Sequence, residues 1–294
     1  MKALIIAEHA GAAAELVAGA RNMADEVVAI SFGGAYECGA NKVVNITVPA
    51  ELTIDAAAET VNAVFDAEQP GIVLVEATRH MKVLAGSLAF HAETAVVTDV
   101  MAFEAEGAKS MYFGGIAERI QKPAGAVAIY TIGAGAFDAA EAAANGAVEE
   151  AAFVAPARAA KMVSSKAIEK SGVDLFKADA VVAAGRGFAE EAQLDLARAL
   201  CEKINGGLAC SRPLTEGVNW LPTELYVGVS GLMLSPKVYV AAGISGQMQH
   251  MVGCNRSGAI FAINKDKNAP IFKQCDYGLI GDIKDVLPAI TAAL

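Results

Sequence analysis

The second half of the sequence places glycine, serine or charged residues directly after each of its short apolar runs. In an open parallel sheet, ligands bind at the carboxyl ends of the strands, and glycine there allows backbone N–H groups to approach phosphate oxygens. This arrangement predicts a site for a nucleotide or a dinucleotide. The runs end in Gly185-Arg186-Gly187, Ser211-Arg212, Gly228-Val229-Ser230-Gly231, Gly243-Ile244-Ser245-Gly246 and Asn264-Lys265-Asp266.

One of these ends, "GISGQMQHMVGCNRSG" at residues 243–258, is typical of a strand that turns into a helix. Read at helical spacing, the stretch separates into two faces. One face is apolar and could pack on a sheet, whereas the other is small or polar, so we expect a polar group to lie against it. The apolar face consists of Ile244, Met248, Met251 and Val252, and the polar face consists of Gly246, Gln249, His250 and Gly253.

Several common motifs are missing from the sequence. No G-x-G-x-x-G follows a predicted strand and no G-x-x-x-x-G-K-[ST] occurs, which disfavours a standard Rossmann NAD site and a P-loop. No H-E-x-x-H, paired-carboxylate motif or Ser-His-Asp order argues for hydrolysis. We therefore expect no catalytic residues and no metal site.

Length and composition set further limits. A chain of 294 residues suggests about two domains. Apolar residues make up 54% of the chain, but no apolar run reaches the roughly 18 residues that span a bilayer, so we expect no direct membrane insertion. The N-terminal run is too short for a signal peptide and is typical of a first strand. A net charge of −10 without a basic cluster argues against nucleic-acid binding.

The five cysteines are odd in number and show no C-x-x-C spacing. This pattern is typical of reduced core residues in a cytosolic protein rather than of a disulfide framework or a zinc site. We therefore predict a cytoplasmic location.

Short apolar runs alternate with helical patterns in the first half, which predicts a parallel α/β sheet. The predicted strands are "KALIIAE", "VVAISF", "KVVNIT" and "GIVLVEA", and the predicted helices lie near residues 13–20, 54–67 and 80–92. After "AVVTDVMAF" the pattern changes to glycine-containing extended stretches, "SMYFGG" and "AVAIYTIG". We expect antiparallel strands to complete this domain.

The rhythm breaks at residues 154–174, where Pro, Lys and Ser accumulate, so we place a linker or crossover there. The predicted domains are 1–168 and 169–294, and the fold class is α/β with two domains, each with a mainly parallel sheet. The C-terminal domain is predicted to be Rossmann-like without G-x-G-x-x-G. Its strands are "ADAVVAAGRG", "LACSR", "LYVGVSG", "KVYVAAGISG", "AIFAINKD" and "DYGLIGD", and "IKDVLPAITAAL" forms the last helix.

The motifs "GRG", "CSRP", "YVGVSG", "VAAGISGQMQH", "INKDKNAPIF" and "DYGLIGD", in that order, make the second half resemble a known family. It is similar to the C-terminal FAD domain of the electron transfer flavoprotein alpha subunit, particularly its FixB-like bacterial branch. The resemblance covers about residues 170–290. The first half resembles the family's N-terminal domain more loosely, in its order of elements and in "MYFGG".

The resemblance implies that FAD is the cofactor and assigns residues to it. Arg186 and Ser211 would contact FAD, and Arg212 would lie over the flavin ring, where a cation favours electron acceptance. Ser230 could bond flavin N5, and His250 could donate to flavin O2. The remaining implied contacts are Val227, Gly228 and Val229 at the flavin edge; Ser245, Gly246, Gln247, Met248 and Gln249 in the strand-to-helix turn; Asn264 at the adenosine or pyrophosphate; and Asp282 and Ile283 beside the adenine.

Each residue also has an ordinary structural interpretation. Arg212 could pair with Glu216, Asn264 is typical of a turn, and Asp282 is a typical N-cap for the last helix. A histidine on a helix, such as His250, is most often a satisfied surface or core side chain. Many family members carry Gln-Thr at the positions of Val229 and Ser230, so the hydroxyl is retained here and the amide is not.

The resemblance implies an electron carrier: one subunit of a heterodimer with an electron transfer flavoprotein beta subunit, which would dock on the N-terminal domain. Electrons would pass between an acyl-CoA dehydrogenase-type or NADH-linked donor and a quinone-linked oxidoreductase, which could be membrane-bound, or another dehydrogenase. AMP or a second FAD could lie in the partner subunit. Two alternatives stay open: a stand-alone flavin-dependent NAD(P)H oxidoreductase, and a nucleotide-binding sensor without redox function.

Overall fold

The computed structural model describes residues 1–113, 117–138, 143–166 and 173–294. The chain forms two compact units, which we call unit 1 and unit 2. Unit 1 comprises Met1–Tyr112 and Ala117–Ala167, and unit 2 comprises Phe113–Ile116 and Ile168–Leu294. The predicted domain boundary after residue 168 lies outside the described residues, and so does part of the predicted linker at 154–174.

Unit 1 begins with the predicted alternation of strands and helices. The strands are β1 (Lys2–Ile6), β2 (Glu26–Phe32), β3 (Lys42–Ile46) and β4 (Ile72–Glu76), and the helices are α1 (Ala10–Ala20), α2 (Ala58–Glu68) and α3 (Arg79–His91). The strands pair in parallel and are mostly apolar because helices cover both faces of the sheet. Ser31 and Asn45 are buried polar exceptions that hydrogen-bond each other. Thr78 caps α3 by accepting a hydrogen bond from the Met81 N–H.

The second part of unit 1 differs from the sequence prediction. It adds β5 (Val96–Glu104), β6 (Gly107–Tyr112), β7 (Ala117–Gln121), β8 (Ala128–Ile132) and β9 (Ala147–Ala151), and the order among the described strands is β7-β6-β5-β8-β4-β1-β2-β3-β9. Among the described strands of unit 1, only the pairs β5–β6 and β6–β7 are antiparallel. β8 lies between β4 and β5 and is parallel to both, and β9 is parallel to β3. The expectation of antiparallel strands is therefore confirmed where "SMYFGG" begins, in β6, and wrong for "AVAIYTIG", which forms β8; the sequence predicted no strand at β9. The glycines of "MYFGG" lie outside the described residues.

Unit 2 contains a sheet of five parallel strands in the order β11-β10-β12-β13-β14. This doubly wound order reverses direction between β10 and β12, which makes their carboxyl ends the topological switch point. In chain order the elements are β10 (Ala180–Ala184), α4 (Leu194–Lys203), β11 (Gly207–Cys210), β12 (Val238–Ala242), α5 (Met248–Met251), β13 (Ala259–Asn264), β14 (Tyr277–Ile280) and α6 (Ile283–Ala293).

The two faces of this sheet are covered differently. Helices α4 and α6 pack on one face, over a core that includes Val182, Val240 and Leu287. Irregular segments around residues 225–234, 244–254 and 269–275 cover the other face. The predicted strand "LYVGVSG" belongs to these segments and is not a strand of the sheet. It forms isolated bridges, because the chain turns back at Gly228 and the Gly228 N–H bonds the Leu232 carbonyl at 3.0 Å.

β14 forms an outer edge of the sheet among the described strands. The apolar side chains of Tyr277, Leu279 and Ile280 are 62%, 45% and 62% exposed along this edge. Within the described ranges, no helix is both long enough and apolar enough to cross a bilayer.

Candidate functional site

Two strand ends meet closely at the switch point of unit 2. The N–H groups of Gly185 and Gly187, after β10, donate to the carbonyls of Ala242 and Gly243 at the end of β12, each at 2.9 Å. A Cβ on Gly187 would lie 2.5 Å from the Gly243 Cα, so glycine is required for this approach. The sequence predicted that these glycines serve a phosphate. Instead, the structure shows that the N–H groups of Gly185 and Gly187 hold the chain to itself.

The turn after β12 contains the unpaired backbone donors. No hydrogen bond to the described part of the chain engages the N–H groups of Ser245, Gly246 and Gln247, which precede α5. Gly246 adopts a left-handed φ of +83° and packs against Ile271, whose N–H donates to the Ser245 carbonyl at 3.0 Å. Successive unpaired N–H groups around a left-handed residue form a concavity that suits an anion.

The Asn264 side chain supports this turn. Its Nδ2 donates to the Ile244 carbonyl at 2.9 Å, and its Oδ1 accepts the Asp266 N–H at 2.9 Å. The amide is therefore engaged by the chain on both sides, and it shapes the loop. The Gly281 N–H donates to the Asn264 carbonyl at 3.1 Å, which brings the start of α6 to the same edge.

The polar face predicted for residues 246–253 is not an open surface. α5 is one turn long, and the backbone of the loop at residues 227–230 lies against that face. The Val229 N–H donates to the Gln249 carbonyl at 2.7 Å, and a Cβ on Gly253 would lie 2.4 Å from the Gly228 nitrogen. Protein backbone therefore lies against part of this face, at Gln249 and Gly253. The side chains of Gln247 and Gln249 remain exposed, and Met248 is half-buried.

His250 is buried, with 8% of its surface exposed. Its Nε2 lies 2.9 Å from the Tyr239 hydroxyl, whereas its Nδ1 is buried without a hydrogen-bond partner among the described residues. Burial lowers the pKa of His250 to about 4, and the nearby Val227 carbonyl opposes this shift. The imidazole is therefore neutral near pH 7. Of the two ordinary structural interpretations, a surface or a core side chain, His250 takes the core one.

The predicted cations lie at neighbouring strand ends and are exposed. Arg186 follows β10 and forms no ion pair with any residue in the described ranges. Arg212 follows β11 and pairs with Glu216 through Nε at 2.6 Å, as its structural interpretation anticipated. This hydrogen bond raises the pKa of Arg212 further. Ser211 is held beside them, because its N–H donates to the Ala184 carbonyl at 2.9 Å.

Three other predicted residues differ in how exposed their side chains are. Ser230 is exposed, and its hydroxyl lies 3.4 Å from that of Tyr226. Asp282 caps α6 by accepting the Lys284 N–H at 2.9 Å, which is its ordinary structural role. Ile283 is 4% exposed and packs in the core under α6. Its side chain is therefore not available to an adenine, and only its backbone could border one.

The sequence reading missed two features of the site. The first is Tyr239, which is fully buried in the strand "VYVAA". A buried tyrosine hydroxyl needs a polar partner, so a tyrosine within an apolar strand was the sequence signal for this contact. The second is Gln274, whose Nε2 donates to the Gly246 carbonyl at 2.8 Å and holds the turn in place.

Unit 1 contains a cavity of about 140 Å³ at the carboxyl ends of β4 and β8, beside α1. Glu15 and Glu76 contribute to its lining. Nearby, Glu76 Oε1 bonds His9 Nδ1 at 2.7 Å, and Glu8 Oε1 bonds His80 Nδ1 at 3.0 Å. This acidic lining disfavours a phosphate, so the strand ends of unit 2 are the better candidate for a nucleotide.

Comparison with known proteins identifies the family. The model described as "Electron transfer flavoprotein domain" matches residues 3–156, and the one described as "Electron transfer flavoprotein FAD-binding domain" matches residues 174–255. The chain belongs to the electron transfer flavoprotein family, as an alpha subunit. The matched FAD-binding domain contains most of the residues described above, including the turn at 245–247 and His250.

Relatives of the electron transfer flavoprotein alpha type extend over nearly the whole chain. Protein FixB of Escherichia coli O7:K1 is 41% identical over 296 residues, covering 95% of this chain and 94% of that protein. Protein FixB of Shigella flexneri gives the same identity and coverage. Protein FixB of Escherichia coli strain 55989 is 46% identical over 233 residues, or 76% of this chain and 74% of that protein. A solved Mycobacterium smegmatis structure, titled as a thiamin diphosphate-dependent enzyme, has a TM-score of 0.25 at 10% identity, covers 99% of this chain and 59% of that one, and supports no argument.

The cofactor of this alpha subunit is FAD, and the family pairs the subunit with a beta subunit and with redox partners. The residues at the strand ends fit the group. A pyrophosphate suits the turn, where the N–H groups of Ser245, Gly246 and Gln247 are unpaired among the described residues and Arg186 lies on the adjoining strand end. A bound group could also supply the hydrogen-bond partner that the buried Nδ1 of His250 lacks among those residues. The predicted alternative of a stand-alone NAD(P)H oxidoreductase finds no support.

Proposed function

We propose that this alpha subunit carries electrons between a dehydrogenase and a quinone-linked or other redox partner, and that it transforms no organic substrate of its own. When bound, FAD supplies reversible electron transfer. The residues of the chain bind the cofactor, orient it and set the charge around it. The observation on which this proposal rests most is the run of unpaired N–H groups at residues 245–247, within the segment matched to an FAD-binding domain.

Within this proposal, the turn at 245–247 and Arg186 bind the pyrophosphate, while Ser211, Arg212 and the 227–230 loop border the flavin. Asn264 supports the turn through the Ile244 carbonyl. Arg212 contributes a positive charge where a reduced flavin becomes negative, and Glu216 partly offsets it because the two side chains are paired at 2.6 Å. Ser230 offers its hydroxyl, and Asp282 and the Ile283 backbone lie towards the adenine.

The test uses the heterodimer, with FAD binding and a redox titration as readouts. Arg186→Ala should weaken FAD binding by about tenfold, as expected for one charge-assisted contact. Arg212→Ala should lower the flavin potential, and Glu216→Gln should raise it, because the first change removes a cation and the second removes its counter-charge. Arg198→Ala is the matched control, since Arg198 is also an exposed arginine paired with a carboxylate, Asp195, at 2.7 Å.

The arginine roles would be refuted if Arg186→Ala and Arg212→Ala matched Arg198→Ala in both readouts while remaining folded. The carrier role predicts that the FAD-loaded heterodimer oxidises no NAD(P)H and turns over no acyl-CoA unless a redox partner is added. Steady turnover by the heterodimer alone would contradict it.

We also propose that the protein is cytoplasmic and that unit 1 docks the beta subunit. The five cysteines are all free thiols, which fits a reducing compartment. On α3 of unit 1, Val83 and Phe90 are 53% and 89% exposed, and exposed apolar side chains of this size suit a subunit interface. The proposed redox partner is an acyl-CoA dehydrogenase-type protein. Co-expression with the neighbouring genes, followed by co-purification, would test this proposal.

A further inference from the structure

Tyr239 and His250 form a buried polar pair beneath the FAD site. Tyr239 lies on β12 with 0% of its surface exposed, and its hydroxyl is 2.9 Å from His250 Nε2. A buried hydroxyl without a partner is destabilising, so this contact satisfies the only polar atom of the tyrosine side chain. The ring of His250 is therefore fixed from one side by a neighbouring strand of the sheet.

The proton positions follow from the surroundings of the pair. Burial raises the pKa of Tyr239 well above its ordinary value and lowers that of His250 to about 4, so both are neutral near pH 7. A neutral imidazole carries one N–H, on either Nδ1 or Nε2. If the proton were on Nε2, the Nδ1 lone pair would be buried without a donor. The Val227 carbonyl acts on the ring as an acceptor and so favours an N–H over a lone pair; because Nε2 faces the Tyr239 hydroxyl, Nδ1 is the nitrogen left for this carbonyl.

A proton on Nδ1 is compatible with the groups on both sides of the ring. The Tyr239 hydroxyl then donates to Nε2, and the Val227 carbonyl favours the N–H without completing a hydrogen bond, since Nδ1 has no partner among the described residues. The other titratable groups that act on Tyr239 are two thiols: Cys254, which also hydrogen-bonds the Tyr239 hydroxyl, and Cys210. A thiol that donates to the hydroxyl oxygen leaves the hydroxyl proton for His250 Nε2. Burial raises the pKa of both thiols to about 12, so they stay neutral and leave no charge in the pocket.

We propose that Tyr239 is a positioning residue: its hydroxyl donates to His250 Nε2 and holds the imidazole in the tautomer that carries its proton on Nδ1. The ring thereby presents one neutral donor beside the 227–230 loop and adds no positive charge there. The tautomer is a property of the chain itself. That its Nδ1–H serves FAD rests on the function proposed above.

Nitrogen-15 NMR of histidine-labelled heterodimer, with and without FAD, tests the proposal. The chain has four histidines, and the His250 signals are those lost in His250→Gln. In the FAD-free heterodimer we expect a protonated Nδ1 and an unprotonated Nε2, unchanged between pH 6 and pH 8. Tyr239→Phe keeps the ring and removes the hydroxyl, so the Nδ1–H preference should fall to a mixture of tautomers. Tyr277→Phe, the same change at an exposed tyrosine of unit 2 on β14, should leave the pattern as it is.

A protonated Nε2 in the unsubstituted protein would overturn the proposal. This outcome requires no variant, so the proposal can be tested even if Tyr239→Phe does not fold. An unchanged tautomer in folded Tyr239→Phe would remove the positioning role. Adding FAD should shift the Nδ1 signal, and Tyr239→Phe should weaken FAD binding by about 3- to 10-fold, as expected for one hydrogen bond. If FAD left the His250 signals unmoved while the tautomer was as expected, the fault would lie in the FAD-facing role and not in the Tyr239 contact.

Discussion

The close approach of two backbones at the switch point gives the sharpest test of the site. Gly187→Ala would place a Cβ 2.5 Å from the Gly243 Cα and 3.1 Å from the Gly243 oxygen, both on a strand end that has no flexible side chain to give way. Carbon atoms in contact prefer about 3.5–4.0 Å, so the two segments must separate by about 1 Å. Such a shift breaks the 2.9 Å hydrogen bond from the Gly187 N–H to the Gly243 carbonyl.

The magnitude follows from these two effects. Forcing an extra carbon into a packed region lowers the free energy of unfolding by about 1–3 kcal/mol. Losing the hydrogen bond lowers it by about 0.5–1.5 kcal/mol more. We therefore expect Gly187→Ala to destabilise unit 2 by about 1.5–4.5 kcal/mol. FAD retention should also weaken, because the same separation displaces Arg186 from the turn at 245–247.

Urea unfolding followed by the fluorescence of Trp220 measures this change selectively. Trp220 is the single tryptophan of the chain and packs against the core of unit 2. Gly217→Ala is the matched control, because a Cβ at Gly217 meets nothing within 4 Å and the residue lies in the same unit. Both changes reduce the entropy of the unfolded chain alike, so their difference isolates the clash. If the two variants unfolded within about 0.5 kcal/mol of each other, the close approach would be refuted.

Three further predictions concern ionisable side chains. The hydrogen bond to Glu76 raises the pKa of His9, so the stability that this pair gives unit 1 is present below pH 6.5 and is lost as the pH rises through the raised value; the hydrogen-exchange protection factors of α1, which are corrected for the intrinsic pH dependence of exchange, should fall between pH 6 and pH 8. Burial lowers the pKa of His250 to about 4, so unit 2 should lose about 2 kcal/mol of stability between pH 7 and pH 5, measured by Trp220 fluorescence. Cys275 is the least buried thiol and should react first with a disulfide reagent, ahead of Cys254.

Each of these has its own control. Glu76→Gln should remove the fall in the α1 protection factors, and an unchanged pH dependence of those factors in that variant would contradict the role of the pair. His250→Gln should abolish the acid-induced loss of stability in unit 2; if the loss persisted, another group would be responsible. Cys275→Ser should eliminate the fast thiol, and a fast reaction in that variant would mean that a buried thiol is accessible.

Strands were predictable from sequence where apolar residues ran continuously. The runs that became β1 to β4, β10 and β12 carry enough Val, Ile, Leu and Ala to specify strands buried on both faces. The place of β8 between β4 and β5 was not predictable, because a strand's neighbours depend on long-range pairing that leaves no local pattern. "LYVGVSG" resembled these runs, yet its glycines turn the chain back on itself.

The site shows the same division. The position of its residues at the strand ends followed from the sequence, since parallel strands bring their carboxyl ends to one edge. The sequence could not show what these glycines contact. A bound phosphate and a neighbouring backbone segment both require a residue without a Cβ, so the two cases give the same sequence pattern. Only the structure shows that the space beside Gly187 is filled by Gly243. Likewise, a helical pattern cannot show that His250 points at Tyr239, which lies eleven residues earlier on β12.

The open side of β14 affects how the isolated chain can be handled. Its outward N–H and C=O groups and its three exposed apolar side chains offer a ready template for another extended segment. Two copies of the subunit brought together at high concentration can extend each other's sheets there, which competes with correct assembly. Protein for the experiments above is therefore best produced with its beta subunit and kept dilute.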